Sequence, residues 1–328
     1  MTLITQTETL TDLDKLWKDG QNKLDWPCIF VLPPWLQAWW GVFGAGSELY
    51  LRSVWQASAI IGIAPLRIKE GTAMFIGETD VCDYLDFIVA AGHEADFCNA
   101  LLDDLWQKSV RRLEFKHVRP DSFTMRHFLK AAEARKLAVV TVPEDVNVEM
   151  DLPASWDAYL ESLSTRQRHE VRRKLRRLLE AGNIEYHSII DLAAVRHTMQ
   201  TFLKMFTASR SDKATFLTAP REAFFNSLAE KTAAAGLLRL GVLELDGQPV
   251  AQLICFDYNN CIYLYNSGFE PDYISLSVGL LSKALAIKES IEKGRRAFDF
   301  LKGPEEYKYH LGGHEVPLFK CLVELKNQ

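Results

Sequence analysis

Paired cysteines, an excess of basic charge and long apolar runs are all lacking in this sequence. The six cysteines, Cys28, Cys82, Cys98, Cys255, Cys261 and Cys321, form no CxxC and show no paired spacing. That argues against both a structural zinc site and a disulfide framework, and leaves buried free thiols as the expectation. The most apolar stretch, Phe30–Phe43, is too short to span a bilayer and is interrupted by Pro33, Pro34 and Gln37. The first twenty residues lack a basic segment followed by an apolar one, so no secretory signal is read and the cytoplasm is the expected location. Acidic residues outnumber basic ones, 43 to 38, which argues against a general nucleic-acid coat protein. GxSxG, Walker and dinucleotide fingerprints are absent. His169 and His187 have no metal-ligand company, so no metal is assigned.

What remains is an ordinary globular composition, 48% apolar and 25% charged, in 328 residues, a length that suggests about two domains. The two halves share a plan. In the first, ELYLRSVW, AIIGIAPLRI, TAMFIG and DYLDFIV read as strands. They are followed by a helix from about His93 to Lys108, a strand RRLEFKHV, a helix over Ser122–Lys136 and a strand around VNVEMDL. The second opens on helices: one N-capped by Ser155, an arginine-rich one ending at Gly182 as its C′ residue, then Leu192–Ser209 and Pro220–Ala235. A meander follows, with turns at Asp246-Gly247 and Asn259-Asn260. A helix from about Leu276 to Lys293, a strand RAFDFLKG, a short helical piece near Tyr307 and a last strand VPLFKCLVEL complete it. His93 and Ser277 lie 184 residues apart, and so do Arg111 and Arg295. A duplicated α/β unit is therefore expected, each copy with a mixed, mostly antiparallel sheet flanked by helices, divided near Pro153 into residues 1–152 and 153–328.

Three places carry candidate chemistry. The segment NSGFEPDYISLSVGLLSKAL runs from a strand end through a loop to Ser277-Val278-Gly279 at a helix start. A helix N-terminus presents unpaired N–H groups and the positive end of its dipole, and so suits a phosphate; an ordinary Ser cap with a tolerated glycine reads equally from these residues. The equivalent place in the first half carries Glu94 and Asp96, which occupy the anion position with like charge. The second place is STRQRHEVRRKLRRLLEAG. Val171, Leu175 and Leu178 form a narrow apolar stripe there, while Arg168, Arg172 and Arg176 make a row at i, i+4 and i+8, with Arg166, Arg173 and Arg177 on another side. Like charges at that spacing destabilise an isolated helix by a few tenths of a kcal/mol per pair. They are met either by acidic residues elsewhere or by an anionic ligand drawn to a cleft between the halves. The third is AFDFLKG, where alternation sets Asp299 on the face opposite Phe298 and Phe300, either as a base or acceptor clamp or paired with Lys302 or an arginine. Trp35, Trp39, Trp40 and Phe43 fall at helical spacing and read as core.

Four stretches, PPWLQAWWGVFG, RQRHEVRRKLRRLLEAG, YLYNSGFEPDYISLSVGLLSKAL and RAFDFLKGPEEYKYHLGG, together resemble the CelD/BcsL-type acyltransferases of the GNAT superfamily, relatives of the FemAB peptidyltransferases. The resemblance implies two tandem GNAT-like domains, the first without cofactor and the second binding an acyl-CoA, acetyl-CoA being the simplest donor. The N–H groups of Val278, Gly279 and Leu280, helped by Ser277, would receive the CoA pyrophosphate. The donor carbonyl would meet a backbone N–H around Tyr265–Ser267. Tyr307, with Tyr309 second, would be the acid, and Lys308 would hold an anionic acceptor or be solvated. The acceptor would be the amine or hydroxyl of a small molecule or saccharide, such as a polysaccharide precursor. One departure is visible: the family has Ser-Pro-Gly where this chain has Ser277-Val278-Gly279. Two other readings stay open. One is a FemAB-like transfer from aminoacyl-tRNA, with the arginine helix meeting tRNA; the other is a non-catalytic binding protein on the same scaffold.

Overall fold

The computed structural model describes residues 2–77 and 80–325. Contacts divide the chain into Met1–Val146 with Val316–Gln328, and Asn147–Glu315. Along the first part run β1 (Leu3–Thr7), α1 (Leu10–Lys18), β2 (Leu24–Asp25), α2 (Pro33–Phe43), β3 (Glu48–Gln56), β4 (Ala59–Lys69), β5 (Thr72–Phe75), β6 (Ile88–Ala90), α3 (Glu94–Gln107), β7 (Arg112–Val118), α4 (Leu129–Ala134) and β8 (Ala138–Asp151). Then come α5 (Trp156–Ser162), α6 (Thr165–Ala181), β9 (Ile184–Ile189), α7 (Leu192–Ser209), α8 (Ser211–Phe216), α9 (Ala219–Ala234), β10 (Leu238–Leu245), β11 (Gln248–Tyr258), β12 (Cys261–Phe269), α10 (Val278–Glu292), β13 (Ala297–Lys302), α11 (Glu306–His310) and β14 (His314–Glu324).

In the first unit the sheet runs β1-β3-β4-β5-β7-β14, all pairs antiparallel except β5 with β7. Its core is aromatic: Phe75, Phe87, Phe115 and Phe128 meet with ring centroids 4.5–5.8 Å apart. Trp35 and Trp39 are fully buried in α2, so the tryptophan-rich stretch is core. The DYLDFIV stretch becomes a strand only at Ile88–Ala90. Asp86 leaves the extended path because its carboxylate accepts the N–H groups of Phe123 (2.6 Å) and Thr124 (2.9 Å) at the head of a π-helical turn, Thr124–Phe128, which precedes α4.

The second unit repeats the plan. The end of β8 pairs antiparallel with β13, and the order continues β12-β11-β10-β9. Only β12 and β13 run parallel. The turns between β10, β11 and β12 are tight: Asp246, Gly247, Asn259 and Asn260 all have positive φ, the type I′ geometry that Asp-Gly and Asn-Asn favour. As β5 and β7 flank α3, so β12 and β13 flank α10, and α3 and α10 start 184 residues apart, at Glu94 and Val278. α10 is buried along Val278, Leu281, Ala284, Ile287 and Ile291. Of the six cysteines, all are free and only Cys261 is partly exposed.

Candidate functional site

The second unit opens where its two parallel strands part. β12 and β13 pair only at Cys261↔Ala297, Ile262↔Phe298 and Tyr263↔Asp299. Both strands then distort. Against β11, Ile254 faces Asn266 while Cys255 faces Leu264, so Tyr265 is bulged out of register. In β13 the register against β8 shifts between Asp299 and Leu301, and Leu301 has φ 64, a conformation a branched side chain rarely takes. Asp299 holds that kink. Its Oδ1 accepts the Leu301 N–H at 2.7 Å and the Asn147 side-chain amide at 2.9 Å, and the residue is only 3% exposed. The carboxylate expected as a base or acceptor clamp thus meets the backbone of its own strand and the Asn147 side chain.

α10 begins beside this opening. Ser277 sits in the left-handed region (φ 59) and makes no side-chain cap bond, so it is a bend and not the serine cap its sequence suggests. Its carbonyl accepts the N–H groups of Leu280 and Leu281, each at 3.0 Å. The Leu280 N–H, expected among the phosphate donors, is spent in this tight turn after a left-handed residue. No acceptor among the described residues meets the N–H groups of Val278 and Gly279. A Cβ on Gly279 would stand 2.8 Å from the Phe269 ring, so glycine is needed here to let β12 and α10 close together. Ser267 lies on β12 itself, one residue before Gly268.

The arginine helix flanks the same loop. α6 starts with a full capping box between Ser164 and Gln167, and the Gln167 side chain also donates to Tyr309 O at 2.9 Å, tying α6 to α11. Leu178 is buried with Val278 and Leu281, and Leu175 packs there too, alongside Tyr273 and Leu276 of the loop before α10. Burying a leucine stabilises by roughly 1.5–3 kcal/mol, which exceeds the like-charge cost within the arginine rows. Arg168 is half-buried, while Arg166, Arg172, Arg173, Arg176 and Arg177 are exposed. In α6 only Lys174 is paired, with Glu170 at 2.8 Å; none of these arginines makes an ion pair among the described residues. The helix ends at Gly182 in extended backbone, not in a left-handed cap, and a Cβ there would stand 2.5 Å from the Asp246 carboxylate.

α11 brings the remaining residues. Tyr307 lies against Phe300, ring centroids 6.4 Å apart. Tyr309 donates its hydroxyl to Glu315 at 2.6 Å, and that carboxylate pushes the phenol up to about 12. Lys308, expected to hold an anionic acceptor or to be solvated, is buried. It is 2% exposed, and its Nζ donates to the carbonyls of Leu301, Lys302 and Gly303 at 2.6–2.9 Å and pairs with Glu305 at 2.8 Å. Backbone carbonyls freed by the kink in β13 need donors, and Lys308 supplies them.

Two lysines at this opening escaped the sequence reading. Lys283, in the second turn of α10, is 6% exposed; its Nζ donates to Gly279 O at 2.6 Å and stands 4.8 Å from the centre of the Tyr307 ring. Burial, then the charge of Lys213, pushes its pKa down to about 7. Lys213, on α8, donates to Ser267 O and lies 4.8 Å from the Phe206 ring centre; burial pushes it down to about 8. A signal existed for Lys283: it stands i+4 from Gly279 and i−4 from Ile287, on the apolar face of α10. Lys213 gave none, since α8 itself was not expected.

Residues 165–309 match the family model described as Acetyltransferase (GNAT) domain. No curated protein sequence matches the chain. Among solved structures, the crystal structure of FemX is similar over 97% of this chain and 96% of its own, at 13% identity and a TM-score of 0.65. A conserved protein of unknown function from Bacteroides thetaiotaomicron VPI-5482 is similar over 98% and 100%, at 12% identity and TM-score 0.62. The C-terminal domain of a putative lysylphosphatidylglycerol synthetase from Agrobacterium fabrum is similar over 80% of each chain, at 12% identity and TM-score 0.54. At such identities the likeness is one of fold. The α/β class with mostly antiparallel sheets flanked by helices is as expected. No group of metal-ligating side chains and no helix long and apolar enough to cross a membrane occur among the described residues.

Proposed function

We propose that the chain is an acyl-CoA-dependent acyltransferase that moves an acyl group, acetyl in the simplest case, to an amine or hydroxyl of a small or saccharide acceptor, as in CelD/BcsL-type relatives. The observation that carries this reading is the parting of β12 and β13 ahead of a helix start with unpartnered N–H groups. A thioester arm lying along β12 would end in phosphates at Val278 and Gly279, with Ser267 and Ser277 beside it. Arg168, Arg172 and Arg176, on the helix packed against that loop, would neutralise the remaining phosphate charge, and guanidinium forks suit that task. Acyl transfer needs a polarised carbonyl and a proton for the departing thiolate. The bulge at Tyr265 turns a β12 backbone group out of the ladder for the first, and Tyr307 is the proposed donor for the second. Asp299 and Lys308 act through position, by fixing the bend that opens the strands.

A specific observation keeps a second reading alongside. Among the described residues the exposed arginines of α6 have no acidic partners, and the fold likeness includes FemX. A FemAB-like transferase would present this helix to the phosphates of an aminoacyl-tRNA. Calorimetry with CoA and acetyl-CoA separates the two. Saturable CoA binding is expected. Absence of CoA binding, together with tight binding of aminoacyl-tRNA, would transfer the assignment to the second reading. With a competent acceptor, found by screening amines and amino sugars for thiol release from acetyl-CoA, Tyr307→Phe is expected to lower kcat by roughly 10²-fold. An unchanged kcat removes Tyr307 as the acid.

A further inference from the structure

We propose that Lys213 and Lys283 form an oxyanion-binding pair, and that the acceptor of the reaction carries a carboxylate or phosphate that docks between them. The inference rests on the acyltransferase reading and names the acceptor class for that same opening.

Both ammonium groups are incompletely matched. Each has three N–H donors, and each donates to one backbone carbonyl, Lys213 to Ser267 O and Lys283 to Gly279 O. Each also lies over an aromatic ring, Phe206 and Tyr307 respectively, which excludes water from one side. Among the described residues neither makes an ion pair, and the carboxylates nearest in effect are already committed: Asp212 to Arg210 at 2.7 Å, Glu305 to Lys308 at 2.8 Å.

The charged surroundings are unfavourable to two cations. Lys283 feels Lys213 as repulsion, with Glu305 and the Cys255 thiol as weaker opposing influences. Lys213 feels Arg210 as repulsion, with Asp212 and Glu305 opposing. Holding two partly desolvated ammonium groups near each other without a counter-ion costs stability unless something anionic completes the site. Lys283 lies against the ring of Tyr307, the proposed proton donor for the leaving thiolate, which is where an acceptor must come. Lys213 occupies the carbonyl of Ser267, on the stretch of β12 that has lost its parallel partner. Lys283 reaches the Tyr307 ring, one helical turn inside the open amides of α10.

Sulfate, which does not titrate in the useful range, and acetate serve as probes of the two oxyanion classes. Binding is followed by thermal shift and calorimetry at constant ionic strength set with chloride. The wild-type chain should bind at least one probe, more than 10-fold more tightly at pH 6 than at pH 9, because the lysines must be protonated. Lys213→Gln, at a half-buried position, should weaken that binding more than 10-fold, and Lys213→Gln/Lys283→Met should abolish it. The probe should still bind when CoA is saturating. The proposal is overturned if the double variant binds like wild type, if affinity does not change with pH, or if CoA displaces the probe, which would make the anion the donor's own phosphate. Its failure is separable from that of the underlying reading. CoA binding without a lysine-dependent probe site removes only the pair. A lysine-dependent probe site in a chain that does not bind CoA removes the acyl-CoA reading and leaves the oxyanion site.

Discussion

Lys283 enters folding with an ordinary pKa of 10.5 and is pushed down to about 7 in the folded chain. Between those values the unfolded chain binds more protons than the folded one. Stability therefore rises with pH from about 7 toward 10.5, and below 7 the full penalty of the buried charge remains. Lys213, pushed down to about 8, adds in the same direction above that pH. Lys283→Met should make the chain more stable than wild type at pH 6. It should also flatten the climb of the unfolding free energy, measured by urea titration, between pH 7 and 9, by up to about 1.4 kcal/mol per pH unit. Parallel wild-type and variant profiles would contradict the burial described. Asp299 behaves differently. Asp299→Ala strands the Leu301 N–H inside the sheet, at about 1–3 kcal/mol in general, and leaves the Asn147 amide with Glu149 as its acceptor. Lower thermal stability is expected, with any loss of kcat recovered in Asp299→Asn, which keeps an acceptor oxygen. A catalytic role would appear instead as lost kcat at unchanged melting temperature in both variants. The sequence marked Asp299 as unusual because it sits between two phenylalanines. It could not show that the carboxylate folds back on Leu301, since a bulge changes direction without leaving a pattern.

At the scale of elements, the meander, its two turns, α7 and the α10 start are all legible, because each rests on short-range rules: period, Asp-Gly and Asn-Asn turns, a glycine after the helix. The misplaced pieces depend on distant contacts. The π turn at Thr124–Phe128 is set by Asp86, 38 residues before Thr124. α8 is too short to show a period. The site was half legible for the same reason: Ser277, Val278 and Gly279 follow from a loop and a helix start, whereas Lys213 reaches the opening from 54 residues before its acceptor Ser267. The arginine face of α6 gives a prediction of its own. Arg168→Gln/Arg172→Gln/Arg176→Gln replaces good helix formers with another and removes like-charge pairs, so the helix should persist by circular dichroism. Affinity for CoA should fall and lose much of its dependence on salt. Normal affinity at every salt concentration would return the row to an ordinary solvated surface.

At the scale of the whole molecule, the chain does not divide into two consecutive pieces. Its last residues, from Val316, belong with the first unit, where β14 pairs antiparallel with β7 and buries Leu318, Cys321 and Val323 completely. The division near Pro153 expected from sequence assigned that strand to the second half, since a returning strand looks like any other. Removing residues 316–328 is therefore expected to destabilise the first unit. Limited proteolysis should then cut within residues 1–146 before it cuts the rest, and equal protection of the two parts would refute that. A related consequence concerns synthesis. β7 is complete at Val118, but Phe319, its partner across the ladder, leaves the ribosome about 200 residues later, roughly 10–40 s at ordinary elongation rates. For that time the nascent first unit carries an open strand edge beside an aromatic core. The part of the chain made first is the last to close, and holding that edge safe until the final strand arrives is a task for whatever attends the polypeptide as it emerges.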